Sequence, residues 1–174
     1  MRSPDPLLSL LEAAGEGDDR AARELVRRTQ PVIWRLCTSL GSPGEEDDLV
    51  QETYLRALRS IPSYRGEAPV QAWLLAIARH VCADHVRRRV RQRRLVDRIT
   101  RQITSDPPPS AYGVEHFFDA LHPDRRDAFV LTQVVGLSYD EAADVVGCPI
   151  GTIRSRVARA RADLLEAVRA AEAV

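Results

Sequence analysis

A short acidic stretch near residue 50 carries side chains that could hold a metal ion. It contains Asp47, Asp48 and Glu52, and the last two are one helical turn apart, so both carboxylates could share a divalent cation. A metal-dependent nuclease would need such a site. The sequence fixes no third ligand, however, and carboxylates are favoured in the first turn of any helix. We therefore expect an acidic helix N-terminus here.

A second group of metal-ligating residue types lies further along the chain. His80, Cys82 and His85 are close in sequence, but on a helix offsets of two and five residues point the side chains in different directions. The sequence also has no Gly-rich phosphate loop, nucleotide-binding fingerprint or Ser/His/Asp arrangement. These patterns predict a protein that is not an enzyme and has no metal, cofactor or small-molecule substrate.

Basic residues are concentrated in one part of the chain. The 25 basic residues balance 25 acidic ones, all of them are Arg, and six of the eight residues over 87–94 are Arg. Arginine binds phosphate groups well, and Tyr64 and Trp73 could stack on the bases of an opened DNA strand. The position of Trp73 on an apolar helix side favours a core role for it. Nucleic acid is the expected ligand, with membrane lipid or a solvated surface as alternatives.

A helix-turn-helix pattern lies in the C-terminal third. Ser138 and Glu141 form a capping box, Gly147 is placed to end that helix, and Pro149 suits the first turn of the next one. One face of the second helix is apolar, and the other is small, hydroxylic and Arg-bearing, which suits a DNA major groove. An Arg-rich solvated helix end is the alternative. The residues of the outward face are Gly151, Thr152, Arg154, Ser155, Ala158, Arg159 and Arg161.

Helical periodicity predicts an all-α first domain over 1–94. One helix should stop at the Gly-Glu-Gly break over 15–17, and a second over about 18–40 should be bent or interrupted by Pro31. A third over about 45–61 should bury Val50, Ala57 and Leu58, among others, and a fourth should start near Val70.

The remaining chain is predicted to be a linker and a second small helical domain. The Pro-containing stretch 95–113 should be flexible, and 114–174 should end in the helix-turn-helix. Three scattered cysteines, without Cys-x-x-Cys spacing, indicate reduced and mostly buried thiols. No segment is apolar enough to span a membrane or resembles a signal peptide, which predicts no membrane insertion and a cytoplasmic protein.

These motifs, in this order, resemble those of bacterial ECF (extracytoplasmic function) RNA polymerase sigma factors. The stretch 47–58 is similar to the polymerase-binding helix of the family. The segments that resemble the reader of the minus-10 promoter strand are 64–67, 72–80 and 84–88. The segments that resemble the minus-35 reader are 136–143 and 151–161.

The resemblance implies a promoter-specificity subunit that binds core RNA polymerase, recognises minus-35 and minus-10 elements and enables promoter opening. Implied partners are the clamp helices of the largest polymerase subunit and duplex and melted promoter DNA. Regulation is expected from an anti-sigma factor, from transcriptional control or from proteolysis. The loop over 61–69 would receive a flipped base. The implied polymerase-binding residues are Asp47, Asp48, Gln51, Glu52 and Arg56. Those for minus-10 DNA are Tyr64, Arg65, Trp73, Arg79, His80, Arg87 and Arg88. Those for minus-35 DNA are Thr152, Arg154, Ser155, Ala158 and Arg159.

Two departures from the family pattern limit what can be carried over. His80 stands where many members have Asn, so the minus-10 preference is not copied. His122 separates Leu121 from Pro123 where the family has a Leu-Pro pair, before helix one of the second domain. A stand-alone dimeric helix-turn-helix regulator is the alternative function. A metal-dependent nuclease is a third class, which cleavage sensitive to a chelator would reveal.

Overall fold

The computed structural model of the protein describes residues 5–100, 118 and 121–172. Within those residues the chain forms seven α-helices, a 3-10 turn and a π-helical turn, with no strand. The all-α prediction is confirmed. The predicted linker lies mostly outside the described residues, and the domain limits at 94 and 114 stay a prediction.

Two N-terminal helices begin the fold. Helix α1 spans Leu8–Gly15 and α2 spans Asp19–Leu40. The side chain of Asp18 caps α2 by accepting from the backbone N–H groups of Arg20 at 2.7 Å and Ala21 at 3.1 Å. The predicted break between the helices is therefore confirmed.

Pro31 does not interrupt α2, contrary to one of the two expected outcomes. The helix is continuous through it, and the proline itself is exposed while the next two residues, Val32 and Ile33, are 8% and 0% exposed. Proline removes one backbone hydrogen bond from a helix interior. Burial of the flanking side chains offsets that loss.

Helices α3 and α4 complete the N-terminal half. Helix α3 spans Glu46–Ser60, a 3-10 turn spans Ile61–Ser63, and α4 spans Val70–Thr100. Helix α4 thus continues past residue 94, where the first domain was predicted to end. The irregular segment between α3 and α4 is the loop predicted to receive a base.

The C-terminal half is built from three helices and a π-helical turn. Helix α5 spans Pro123–Phe129 and leads into the π turn Val130–Val134. Helix α6 spans Tyr139–Val146 and α7 spans Ile150–Glu172, which are the two helices of the predicted helix-turn-helix.

The two halves pack against each other across a shared core. Helix α2 contacts the π turn and α4 contacts α6, and one cluster of buried residues includes members of both halves. At this contact Arg79 Nη1 lies 3.0 Å from Asp127 Oδ2, with only 18% and 20% of the two side chains exposed. Burial raises the pKa of Asp127 even though Arg79 donates to it.

The cysteines are free thiols, as predicted. Cys37 on α2 and Cys82 on α4 are buried, and Cys148 is partly exposed. The Cys37 and Cys82 thiols interact, and that interaction, with burial, raises the pKa of Cys82. No described helix is both long and apolar enough to cross a membrane.

Candidate nucleic-acid interface

The first turns of α3 form an acidic, solvent-facing surface. Asp47, Asp48 and Gln51 are exposed, and Glu52 is half-exposed beside them. Leu55, one turn further on, is 42% exposed and adds an apolar element to the same face. In the described residues no three His, Cys, Asp or Glu side chains lie together as a metal site would require. The arrangement suits a basic protein surface with apolar side chains.

A chain of ion pairs connects this acidic surface to α4. Arg56 Nε lies 2.7 Å from Glu52 Oε1, and Arg56 Nη1 lies 2.9 Å from Asp84 Oδ2. Asp84 in turn holds Arg87 at 2.6 Å. Hydrogen bonds from Arg56 first, and then from Arg87, lower the pKa of Asp84. Arg56 is therefore a structural link between α3 and α4 as well as a candidate polymerase contact.

Two aromatic residues lie side by side where the loop meets α4. The ring centroids of Tyr64 and Trp73 are 5.2 Å apart and the rings are tilted by 58°. The Tyr64 hydroxyl donates to the carbonyl of Ala68 at 2.6 Å, and burial and the nearby charge of Asp5 raise the pKa of Tyr64. Trp73 is half-buried, so part of its ring faces solvent.

The basic candidates on α4 differ in their accessibility. His80, Arg87 and Arg88 are exposed, as is Arg65 in the loop. Arg79, by contrast, is held in the ion pair with Asp127 between the two halves. Arg79 is therefore less accessible than the other basic candidates.

The helix-turn-helix has the geometry that its sequence predicts. The Ser138 hydroxyl accepts from the N–H of Glu141 at 3.2 Å, while Glu141 Oε2 accepts from the N–H of Ser138 at 2.8 Å. Gly147 ends α6 with φ of +72°, in the left-handed region that favours glycine. The predicted capping box and glycine turn are confirmed.

Helix α7 buries its apolar face and exposes the predicted DNA-reading face. Ile153 and Val157 are 0% and 1% exposed. Of the outward residues Thr152 is half-exposed, and the rest, all exposed, are Gly151, Arg154, Ser155, Ala158, Arg159 and Arg161. Arg156, on the side of the helix, is instead held by Asp124 at 2.6 Å. The face that remains open is small and carries Arg, as entry into a major groove requires.

Comparison with known proteins decides the family. The family model "Sigma-70 region 2" matches residues 25–94, and "Sigma-70, region 4" matches residues 114–164. The ECF RNA polymerase sigma factor SigC of Mycobacterium tuberculosis is 44% identical over 168 residues, which cover 92% of this chain and 90% of that protein. The chain belongs to the ECF sigma factors.

Further relatives and solved structures agree with this assignment. The ECF sigma factor EcfG of Rhodopseudomonas palustris is 40% identical, with 82% of each chain covered. CnrH, solved in complex with the cytosolic domain of CnrY, matches with a TM-score of 0.72 and 30% identity over 92% of this chain and 96% of that one. RpoE, solved with the anti-sigma factor NepR from Bartonella quintana, gives 0.64 and 29% identity over 84% and 96%.

As a sigma factor the protein is a promoter-specificity subunit of RNA polymerase that recognises minus-35 and minus-10 elements and enables transcription initiation. Its partners are core RNA polymerase and promoter DNA. Sigma factors are not enzymes. A stand-alone dimeric regulator, the alternative function, is not favoured because the region 2 match covers the N-terminal half as well.

The sequence did not reveal how this sigma factor holds its loop over 61–69. Asp5 Oδ2 accepts a hydrogen bond of 2.6 Å from the backbone N–H of Val70, the first residue of α4, which is 65 residues away. The other carboxylate oxygen accepts from the N–H of Leu7 at 2.9 Å. An Asp before a run of leucines signals a local cap. Nothing in the sequence signals the distant partner.

Proposed function

We propose that the acidic face of α3 docks on the clamp helices of the largest polymerase subunit through Asp47, Asp48, Gln51, Glu52 and Arg56. The exposure of these residues beside the apolar Leu55 is the observation that supports this assignment. Opposite charges would steer the encounter with a basic clamp surface.

Minus-10 recognition is assigned to the loop over 61–69 and to the exposed side of α4. Extruding a base from duplex DNA costs a few kcal/mol, which stacking and a shaped pocket must offset. Tyr64 and Trp73 offer aromatic surface at the loop, and the cations follow along the helix. The proposed minus-10 residues are Tyr64, Arg65, Trp73, Arg79, His80, Arg87 and Arg88.

Minus-35 recognition is assigned to the outward face of α7. Its candidates are Thr152, Arg154, Ser155, Ala158 and Arg159. An Arg that reaches the edge of a guanine contributes about 1–3 kcal/mol of discrimination, while the small residues beside it allow close approach of the helix.

The remaining assignments concern the setting of this sigma factor. The protein has no catalytic site of its own and acts in the cytoplasm, where its polymerase is. The solved relatives CnrH and RpoE are in complex with the cytosolic domain of CnrY and with the anti-sigma factor NepR, respectively, which supports an anti-sigma factor as a partner here too. We assign one domain to 1–94 and the other to 114–174, with 95–113 as a linker whose first residues, up to Thr100, continue helix α4.

Charge reversal on α3 tests the polymerase assignment. Asp48→Arg combined with Glu52→Arg should abolish co-elution with bacterial core polymerase and promoter-selective run-off transcription, because both attractive charges become repulsive. Exposed Asp19→Arg with Glu16→Arg, on the α1–α2 turn, is the matched control and should retain both activities. A dimeric regulator would bind its operator regardless of the reversal. Retained co-elution of the α3 variant would refute the assignment.

A further inference from the structure

The N-terminal segment 5–15 touches both ends of the loop that we assign to base capture. At the far end, Asp5 accepts from the N–H of Val70 at 2.6 Å and so caps α4 where the loop ends. At the near end, α1 packs on the 3-10 turn Ile61–Ser63. A Cβ built on Gly15 would lie only 2.8 Å from Cγ2 of Ile61, so the last residue of α1 lies directly against the first residue of the loop segment.

This segment is itself firmly anchored. Leu7 and Leu11 are 8% and 1% exposed and belong to the buried core. Asp5 uses its second oxygen to accept from the N–H of Leu7, which fixes the carboxylate relative to that anchor. The contact at the near end is therefore made by a packed helix, and the contact at the far end is made by a residue that is hydrogen-bonded to the buried Leu7 just before that helix.

The loop between the two contacts needs such support. The Tyr64 hydroxyl donates to the carbonyl of Ala68 at 2.6 Å, and the Tyr64 ring packs against Trp73. The other described hydrogen bonds of the loop also join near neighbours, such as the Tyr64 N–H and the Ile61 carbonyl at 3.0 Å. Burial raises the pKa of the Tyr64 hydroxyl, and the negative charge of Asp5 raises it further. The aromatic pair thus lies within reach of the segment that holds the loop ends.

We propose that residues 5–15 are a brace that sets the shape of the base-capturing loop, with Asp5 and Gly15 as positioning residues for minus-10 recognition. The brace lies outside the residues matched by the region 2 family model, 25–94. Because a capture pocket must be shaped before the base arrives, the brace acts on how strongly the loop binds a base rather than on polymerase affinity. This inference rests on the proposed role of the loop.

Two substitutions separate positioning from stability. Asp5→Ala removes both acceptors and also weakens the fold, as loss of a helix cap does. Gly15→Ala places a methyl group against Ile61, yet alanine is a better helix former than glycine and the φ at this position is not in the left-handed region. The second variant therefore displaces the side chain of Ile61, the first residue of the loop segment, without a loss of helix propensity in α1. Asp18→Ala, which uncaps α2 through purely local bonds, is the matched control.

The experiment uses holoenzyme and a single-stranded oligonucleotide covering the minus-10 element of a promoter mapped by run-off transcription. Affinity is measured for the intact strand and for strands with an abasic site at each position in turn. With the wild-type protein, an abasic site at one position should reduce affinity for the strand more than an abasic site at any other. Asp5→Ala should reduce that loss of affinity by about fivefold, the factor to which one helix cap corresponds, and Gly15→Ala should reduce it as well, both with core binding unchanged. Asp18→Ala should leave it intact.

The possible outcomes distinguish the brace from the loop assignment. If no abasic position matters to wild type, the proposed role of the loop is wrong. If an abasic site weakens binding equally for the wild-type protein and for the Gly15→Ala variant, the proposal of a brace is wrong. Should Asp5→Ala fail to fold, the comparison of Gly15→Ala with wild type decides the proposal.

Discussion

The two DNA-reading parts of this sigma factor are held together in different ways. In the helix-turn-helix, the capping box joins Ser138 to Glu141 and the left-handed Gly147 turns the chain, so the decisive contacts are between near neighbours. In the minus-10 reader, Val70 is capped by Asp5, 65 residues earlier, and Arg56 is paired with Asp84, 28 residues later. A helix that enters an existing groove needs only a rigid local unit, whereas a loop that captures a base must be shaped by its surroundings.

Core truncation should give the largest effect and tests whether the readers are separate units. Ile153→Ala on α7 and Leu74→Ala on α4, both 0% exposed in the native protein, should each cost about 2–5 kcal/mol of stability. We expect the Ile153→Ala variant to lose binding to minus-35 duplex, while its holoenzyme still binds a minus-10 single strand. The Leu74→Ala variant should lose binding to the minus-10 single strand and still bind minus-35 duplex. Chemical denaturation and the two binding assays measure this. Loss of both activities in either variant would mean that the shared core makes the readers one unit.

Removal of the local cap should have a smaller effect, confined to one reader. Ser138→Ala deletes the hydroxyl that accepts from Glu141 and should cost about 1 kcal/mol of stability. Minus-35 affinity should fall modestly and minus-10 discrimination should stay at the wild-type level. Thermal unfolding and titration with each DNA follow the two quantities. An equal fall in minus-10 discrimination would contradict the local character of this region.

The smallest effect should come from the ion pair where the two readers meet. Burial raises the pKa of Asp127 above its ordinary value of 3.8, so the packed state binds a proton more tightly than the separated state. Proton binding by Asp127 therefore stabilises the packed state. This stabilisation is fully present below pH 3.8 and is lost as the pH rises through the higher pKa that Asp127 has in the packed state. The radius of gyration from small-angle scattering should therefore increase as the pH is raised from that ordinary value toward neutrality.

Substitution of the same residue provides the control for this pH dependence. Asp127→Asn cannot titrate, so its radius of gyration should not change over that range beyond the change caused by other groups. A variant that keeps the full dependence would show that the proton binds elsewhere.

Features with local causes could be predicted from the sequence, and features with distant causes could not. The break after α1, the capping box and the glycine turn depend on residues within one or two turns of each other, and all are confirmed. The cap from Asp5 to Val70 and the pair of Arg79 with Asp127 depend on how separate helices meet. No spacing rule encodes those contacts.

Helix α3 illustrates a partial success. Val50 and Ala57 are buried as predicted, but Leu58 is 42% exposed while Leu49 and Thr53 take its place in the core. Both α2 and α4 pack on α3, so the face that α3 buries is rotated relative to the apolar stripe expected from the sequence. Thr53 can be buried because its hydroxyl donates to the carbonyl of Leu49 at 2.7 Å.

The ion pairs of Arg56 have a consequence for mutational scans of the polymerase-binding face. Arg56 holds Glu52 on its own helix and Asp84 on the next, and Asp84 also holds Arg87. Truncating Arg56 would free the Asp84 carboxylate to attract Arg87 more strongly, and so would change a proposed DNA contact along with a proposed polymerase contact. Single-residue effects across these four side chains will not add, and only double-mutant cycles will assign them to one partner or the other.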